Sequence, residues 1–296
     1  MNWIFLALGA HFLWALVNIG EKHLVSNRIK NPFVYLCLAL FLNIMVLPVA
    51  LLVKIDLPDW HAGLYIFLAS AFYLLGAIFY VVALQREEIS RINILWQLIP
   101  VFNLAIAYLL FRETLSLSQS VAFVLLITGG ILASLHRGDG RWRWSKALGV
   151  MAAACFFYSC YAVSFSRLSD FFEPISAWWW SSLILILMIP GFLFFSKIRR
   201  DLAASTPEIK TGVWAAIIGV NFLDSAAILL NMLALSLGPV SLVYSLEGAQ
   251  IIFVFALTIF LSFKAPKILK EELNKANLWL KGGALILILA GLWLIY

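Results

Sequence analysis

The chain has 296 residues, of which 64% are hydrophobic and only 12% are charged, and its mean hydropathy is +0.98. Soluble domains carry about a quarter of their residues as charged side chains, so this composition excludes a soluble domain. The formal net charge of +6 does not indicate nucleic-acid binding. Its basic residues lie in short loops, where they set membrane topology and meet anionic lipid headgroups.

Ten apolar runs of roughly the 20 residues that an α-helix needs to cross a bilayer follow one another with mostly short connections. They predict an all-α polytopic membrane protein with ten transmembrane helices in the plasma (inner) membrane. The first run has no basic N-terminal region and no small-residue cleavage site, so we expect a retained span and not a signal peptide. The runs are residues 3–24, 32–53, 61–84, 91–111, 117–135, 146–167, 174–196, 211–236, 239–262 and 276–296.

The first run carries a polar stripe within "LWALVNIGEKHL". His11, Trp14, Asn18 and Glu21 follow one another at steps of three, four and three, which places them on one face of a helix. We interpret this face as the first wall of a polar passage. For Glu21, the simpler alternative is an ion pair with Lys22 at the membrane interface. For His11, the simpler alternative is a hydrogen-bonded side chain that packs between helices.

Two acidic residues fall deep within later runs, Asp224 in the eighth and Glu247 in the ninth. A buried carboxylate is unfavourable by at least about 2.5–3.5 kcal/mol at mid-bilayer, so such residues usually face a cavity or a partner. Each has an amide three residues away, Asn221 and Gln250. The alternative is an acid that only joins two helices.

These acids, further amides and aromatic residues form the predicted substrate site. No equally deep lysine or arginine is expected opposite the acids. Aromatic faces attract cations by roughly 0.5–2 kcal/mol, so an amine-bearing or cationic solute is favoured. Asp224 and Glu247 are also the candidates for a coupling proton. The predicted substrate-binding residues are Trp14, Asn18, Asn93, Gln97, Tyr158, Tyr161, Asn221, Asp224, Glu247 and Gln250.

Lysine and arginine are distributed unevenly over the connections. Those after the odd-numbered runs hold 18 of the 21, all except Lys54, Arg112 and Arg167. Because cytoplasmic loops are enriched in these residues, the distribution predicts that both termini are extracytoplasmic.

The chain also contains a repeat. "ALQREEISRINIL" begins at residue 83 and "ALSLGPVSLVYSL" at residue 234, and in both an Ala-Leu pair closes one helix before a turn and the next helix. We therefore predict a five-helix repeat over 1–136, a basic linker over 137–145 and a second repeat over 146–296. Since five is odd, the second repeat starts on the opposite face, which is the inverted arrangement used by many secondary transporters.

Several segments resemble ten-helix EamA-type transporters of the drug/metabolite transporter superfamily: "FLWALVNIGEKHL", the segment from "ALQREEISRINIL" to "GGILAS", and the second copy from residue 234. Pro100 and Glu113 match the family pattern most specifically. The resemblance implies two inverted five-helix bundles around a central cavity, working as uniporters, exchangers or proton-coupled carriers.

We therefore expect a secondary active transporter of a small organic solute, acting by alternating access as a monomer, with the lipid bilayer as its other partner. A lipid or lipid-linked-sugar flippase on the same fold is the alternative. An intramembrane enzyme is disfavoured, because HExxH, GxSxG and paired-Asp motifs are absent from the sequence. No catalytic residue, cofactor or metal is expected, and Cys37, Cys155 and Cys160 are interpreted as small hydrophobic residues.

Overall fold

The computed structural model describes residues 2–29, 31–111, 116–138, 141–171, 173–237, 246, 248–265 and 275–295. Within these ranges the protein is helical apart from one short hairpin, so the all-α class is confirmed. The helices are α1 (Asn2–His23), α2 (Pro32–Leu42), α3 (Trp60–Arg86), α4 (Ile89–Trp96), α5 (Leu98–Phe111), α6 (Leu117–Ser134), α7 (Leu148–Ser166), α8 (Pro174–Leu193), α9 (Ser196–Ser205), α10 (Thr211–Leu237), α11 (Gly248–Lys264) and α12 (Lys275–Ile295).

Shorter elements extend or connect these helices. A π-helical turn, Leu24–Arg28, continues α1, and a 3-10 segment, Asn43–Leu51, continues α2. Strands β1 (Leu135–Gly138) and β2 (Arg141–Trp144) pair antiparallel between α6 and α7. The remaining short turns are Arg167–Asp170 and Thr206–Glu208.

Helix starts follow from local sequence. Asn31 accepts a hydrogen bond from the Phe33 amide and precedes Pro32, whose missing N–H leaves no unpaired donor at the first helical position. Asp59 caps α3 by accepting from the Ala62 amide. Ser116 and Gln119 form a reciprocal capping box at the start of α6. These caps satisfy amides of the first helical turn, which have no partner within the helix.

Among the described residues, eight helical segments are long and apolar enough to cross a membrane, and α11, with 17 residues, is a shorter apolar helix. The protein is therefore a multi-pass membrane protein, as predicted. The ninth predicted run begins at residue 239, and residues 238–245 lie outside the described part of the chain. The eight segments are Trp3–Arg28, Pro32–Leu51, Trp60–Arg86, Leu117–Ser134, Leu148–Phe165, Pro174–Leu193, Thr211–Ala234 and Lys275–Leu294.

The fourth predicted run, 91–111, is not one continuous helix. It is broken at Gln97 into α4 and α5, because Pro100 cannot donate to the Trp96 carbonyl and its ring crowds that group. Side chains of α7 donate hydrogen bonds to backbone carbonyls on both sides of the break. The Cys155 thiol donates to the Leu95 carbonyl at 3.4 Å, and the Ser159 hydroxyl donates to the Ile99 carbonyl at 3.0 Å.

Three long helix pairs form the framework: α1 with α10, α3 with α7, and α6 with α12. A glycine permits close approach in each pair, as is common where helices meet within a bilayer. A Cβ at Gly20 would lie 2.6 Å from Val220, one at Gly76 would lie 2.9 Å from the Tyr158 ring, and one at Gly129 would lie 2.7 Å from Ile288.

One helix was not anticipated by the sequence analysis. Helix α9 connects α8 to α10 and exposes Lys197, Arg199 and Arg200, while Ile198 and Leu202 pack against the core. Basic and apolar residues alternate along α9, so that one face is charged and the other apolar. This pattern is typical of a helix that lies at a membrane surface.

Candidate functional site

A cavity of 410 Å³ lies between the two helix pairs α1–α10 and α3–α7. Helix α2 closes one side, the α4–α5 break contributes Trp96 and Ile99 to the wall, and α11 contributes Gln250. Most of the lining is polar or aromatic. The residues of these two kinds are His11, Trp14, Asn18, Glu21, Tyr35, Asn43, Tyr73, Tyr80, Trp96, Tyr158, Tyr161, Asn221, Asp224 and Gln250.

Asp224 lies at the midpoint of α10 and faces α1 across the cavity. The Trp14 indole Nε1 donates to its Oδ1 at 3.0 Å. Asn221, one turn earlier on α10, also lines the cavity, and its amide donates to the Ile217 carbonyl at 2.9 Å. The sequence stripe on α1 and the deep acid on α10 therefore meet at the centre of the helical bundle.

Glu21 lies on α1 two helical turns after Trp14 and lines the same cavity. Two phenols hold its carboxylate: Tyr35 donates to Oε1 at 3.1 Å and Tyr80 donates to Oε2 at 3.0 Å. The neighbouring Lys22 ammonium donates to the backbone carbonyls of Leu84 and Glu87. The sequence analysis left Glu21 out of the site as an interfacial residue, although its place on the polar stripe was the signal that could have included it.

Amide side chains connect Glu21 to the α4 helix. Asn18 donates to Asn93 Oδ1 at 2.9 Å and accepts from the Tyr80 hydroxyl at 3.4 Å. Asn93 is buried behind Asn18 and donates onward to the Ile89 carbonyl at 3.2 Å, so it supports the cavity wall without lining it. Gln97 is buried at the helix break and does not line the cavity either.

Aromatic rings form the wall opposite Asp224. Tyr73 meets Tyr158 and Tyr161 edge to face, with ring centroids 5.5 and 5.4 Å apart. Trp96 contacts Tyr80 and Tyr158, both at 4.9 Å. These rings lock one another in place, which gives the cavity a rigid shape.

His11 and Gln250 occupy the remaining end of the cavity. The His11 Nδ1 lies 3.4 Å from Gln250 Oε1, and its ring centroid is 5.4 Å from that of Trp14. His11 thus joins α1 to α11, which agrees with a packing role while leaving its ring on the cavity surface. Glu247 and Glu113 lie outside the described residues.

The cavity is closed at the end of α1 that carries Glu21. Leu24, Leu84, Ile89 and Ile92 are at most 1% exposed there. At the other end of these helices the small buried clusters are separate, one joining α3 to α8 and one joining α1 to α10.

An ionic cluster lies beside the closed end. Lys281 of α12 contacts Glu88 Oε2 at 2.8 Å, and Arg91 Nε contacts Glu88 at 3.3 Å and Glu87 at 3.5 Å. Arg91 also donates to the Ala133 and Leu135 carbonyls. The sequence analysis assigned Arg91 and Lys281 to loops, but they are 1% and 0% exposed. Neither lines the cavity.

The charge of the site follows from its lining. Within the described part of the chain, two carboxylates and no lysine or arginine face the cavity. The described residues also contain no group of three or more His, Cys, Asp or Glu side chains that could hold a metal. The two carboxylates give this lining the charge to bind a small cation.

Comparison with known proteins places this geometry in context. Residues 1–135 match the EamA-like transporter family, which confirms the resemblance seen in the sequence. No curated protein matches the chain. One solved structure, titled "Crystal structure of protein", is 14% identical and matches with a TM-score of 0.60 over 99% of this chain and 96% of its own. The shared fold therefore extends over both halves of the chain.

Proposed function

Because residues 1–135 match the EamA-like transporter family, we propose that the protein is a secondary active transporter of a small amine-bearing or cationic solute. The matched family consists of transporters, which supports a transport function over an enzymatic one. The solute class rests on one observation: Asp224 faces a central cavity that no described lysine or arginine lines.

The electrostatics of the cavity support a cationic solute. A carboxylate in the middle of a membrane is stable only with a partner, a proton or a bound cation. The Trp14 indole gives Asp224 a single hydrogen bond and no compensating charge. A cation that enters the cavity would supply that charge, and the surrounding aromatic faces would add roughly 0.5–2 kcal/mol of attraction.

Inverted five-helix repeats over 1–136 and 146–296, joined by a linker over 137–145, are part of this proposal. The helix pairs support them. Exchanging the repeats replaces α1 by α7 and α10 by α3, so the α1–α10 pair becomes the α7–α3 pair, and the α6–α12 pair maps onto itself. Two inverted repeats around one central site are the usual architecture for alternating access.

The orientation and state of the carrier complete the proposal. With the basic connections in the cytoplasm, both termini lie outside and the closed, Glu21-bearing end of the cavity faces the cytoplasm. The separate clusters at the opposite end support an outward-facing state. Glu247 is proposed as a second acid for the solute or a coupling proton.

A flippase for lipids or lipid-linked sugars would share this architecture. Such a substrate carries phosphate, which favours basic side chains in the binding site. The two carboxylates that line the cavity oppose an anionic headgroup. The cavity chemistry therefore favours a cationic solute over an anionic lipid.

Uptake into proteoliposomes tests the proposal. The purified protein should accumulate labelled alkylamines, and Asp224→Asn should abolish this uptake or its dependence on a pH gradient while thermal unfolding stays normal. Glu173→Gln, at an exposed acid that makes no side-chain cap at the start of α8, is the matched control and should transport normally. Normal transport by both Asp224→Asn and Glu247→Gln would refute the proposed role of these acids.

A further inference from the structure

The cavity is lined by two carboxylates at different depths, and the distance between them limits which solutes can contact both. Asp224 is held by Trp14, while Glu21 is held by Tyr35 and Tyr80. Both line the same 410 Å³ space. Two negative charges that line one cavity repel each other. A solute with one positive charge would leave this repulsion only partly relieved.

The separation of the two acids follows from α1. Trp14 and Glu21 are seven residues apart, or about 10 Å along the helix axis at about 1.5 Å per residue. An ammonium nitrogen lies about 2.8 Å from each carboxylate oxygen that it contacts. Contacts on the line between the acids would place the two ammonium nitrogens about 4 Å apart, and contacts from the side would place them about 10 Å apart, so the middle of the range is about 6–8 Å. At roughly 1.2 Å per bond, about four to six methylenes span this distance.

The wall between the two acids suits a methylene chain. Tyr80, Trp96 and Tyr158 pack ring against ring at 4.9 Å along this part of the cavity. Their faces offer apolar surface to methylene groups and π density to an ammonium near either end. The surface between the carboxylates thus has the length and the chemistry of an extended alkyl chain.

We propose that the preferred solute is a linear diamine, with one ammonium at Asp224 and the other at Glu21. This inference rests on the proposed transport of cations and adds a second charge and a defined chain length to it. Glu21 is then a specificity-determining residue: Asp224 binds any amine, and Glu21 distinguishes diamines from monoamines.

Competition for amine uptake in proteoliposomes tests this assignment. The probes are straight-chain diaminoalkanes of increasing length, each compared with the monoamine of the same carbon number. Diamines of about four to six methylenes should compete at least about tenfold better than the matched monoamines, as expected for one added charged hydrogen bond. Shorter and longer diamines should lose most of this advantage.

Variants separate this inference from the proposed function. Glu21→Gln should lower diamine competition about tenfold and monoamine competition much less, so that the preference is lost. Asp224→Asn should impair both, and Glu173→Gln, which does not line the cavity, should impair neither. Equal competition by diamines and monoamines in the wild-type protein, or no optimum of chain length, would overturn the inference while leaving amine transport intact. Absence of any amine transport would overturn both. If Glu21→Gln fails to fold, the wild-type length series alone decides.

Discussion

Two glycines on α3 should respond in opposite ways to the same substitution. A Cβ at Gly76 would lie 2.9 Å from Cδ2 and Cε2 of Tyr158, closer than atoms in contact can approach. A Cβ at Gly63 would meet no atom within 4 Å. We therefore expect Gly63→Ala to raise stability and Gly76→Ala to lower it.

The magnitude follows from the packing around Tyr158. Its ring is only 8% exposed and is held by Trp96 and Tyr73, so it cannot turn away freely from a new methyl group. Overpacking of this kind costs about 1–3 kcal/mol. Replacing glycine by alanine in a helix contributes up to about 1 kcal/mol of stability at either position. The difference between the variants therefore isolates the overpacking, about 1–3 kcal/mol.

Thermal unfolding of the two variants in the same detergent measures this difference. At about 2–4 °C per kcal/mol, the midpoint for Gly76→Ala should lie roughly 2–12 °C below that for Gly63→Ala. Because Tyr158 lines the cavity, Gly76→Ala should also weaken solute binding, and Gly63→Ala should not. Equal midpoints for the two variants would show that α3 and α7 do not approach each other as closely as described.

Three further outcomes are expected. Lys281→Met should lower the free energy of unfolding by about 1–3 kcal/mol, because it removes the 2.8 Å partner of the mostly buried Glu88 carboxylate and leaves that carboxylate paired with Arg91. Lys197→Met on the exposed face of α9 should have no measurable effect in the same thermal assay. Tyr80→Phe should weaken diamine competition by roughly tenfold or more through loss of its 3.0 Å hydrogen bond to Glu21, and an unchanged chain-length profile would contradict that. A periplasmic reporter fused to the C-terminus should be active and a cytoplasmic one inactive; the reverse would place the termini inside.

Much of the fold could be predicted from the composition and from the lengths of the apolar runs. An apolar run of about 20 residues has few alternatives in a membrane, and Asp224 was detectable because a deep acid is rare. The break at Gln97 was harder to predict. Pro100 indicated a distortion, but the Trp96 carbonyl that it frees accepts from the Cys155 thiol of a distant helix at 3.8 Å, which no local pattern reveals.

Charged residues near helix ends were the main source of error. Lys281 and Arg91 stand close to predicted loops, so sequence reasoning assigned them to the surface. Their burial depends on Glu88, which approaches Lys281 only when α12 packs beside the α3–α4 connection. Glu21 was omitted from the site for the same reason, since the phenols that hold it come from α2 and α3. Whether such a residue is buried depends on its contacts with a distant helix, and a single sequence does not reveal those contacts.

The pairing of α1 with α10, α3 with α7 and α6 with α12 has a consequence for biogenesis. The principal neighbour of each of these first-half helices lies in the second half of the chain, at a glycine contact. During synthesis, the first five spans therefore enter the bilayer before their partner helices have been translated. Their closest interfaces face lipid until the second half of the chain is inserted. A polypeptide that ends after residue 136 should insert but remain loosely packed and be exposed to membrane proteases. Coexpression with residues 146–296 as a separate chain should restore the packed structure.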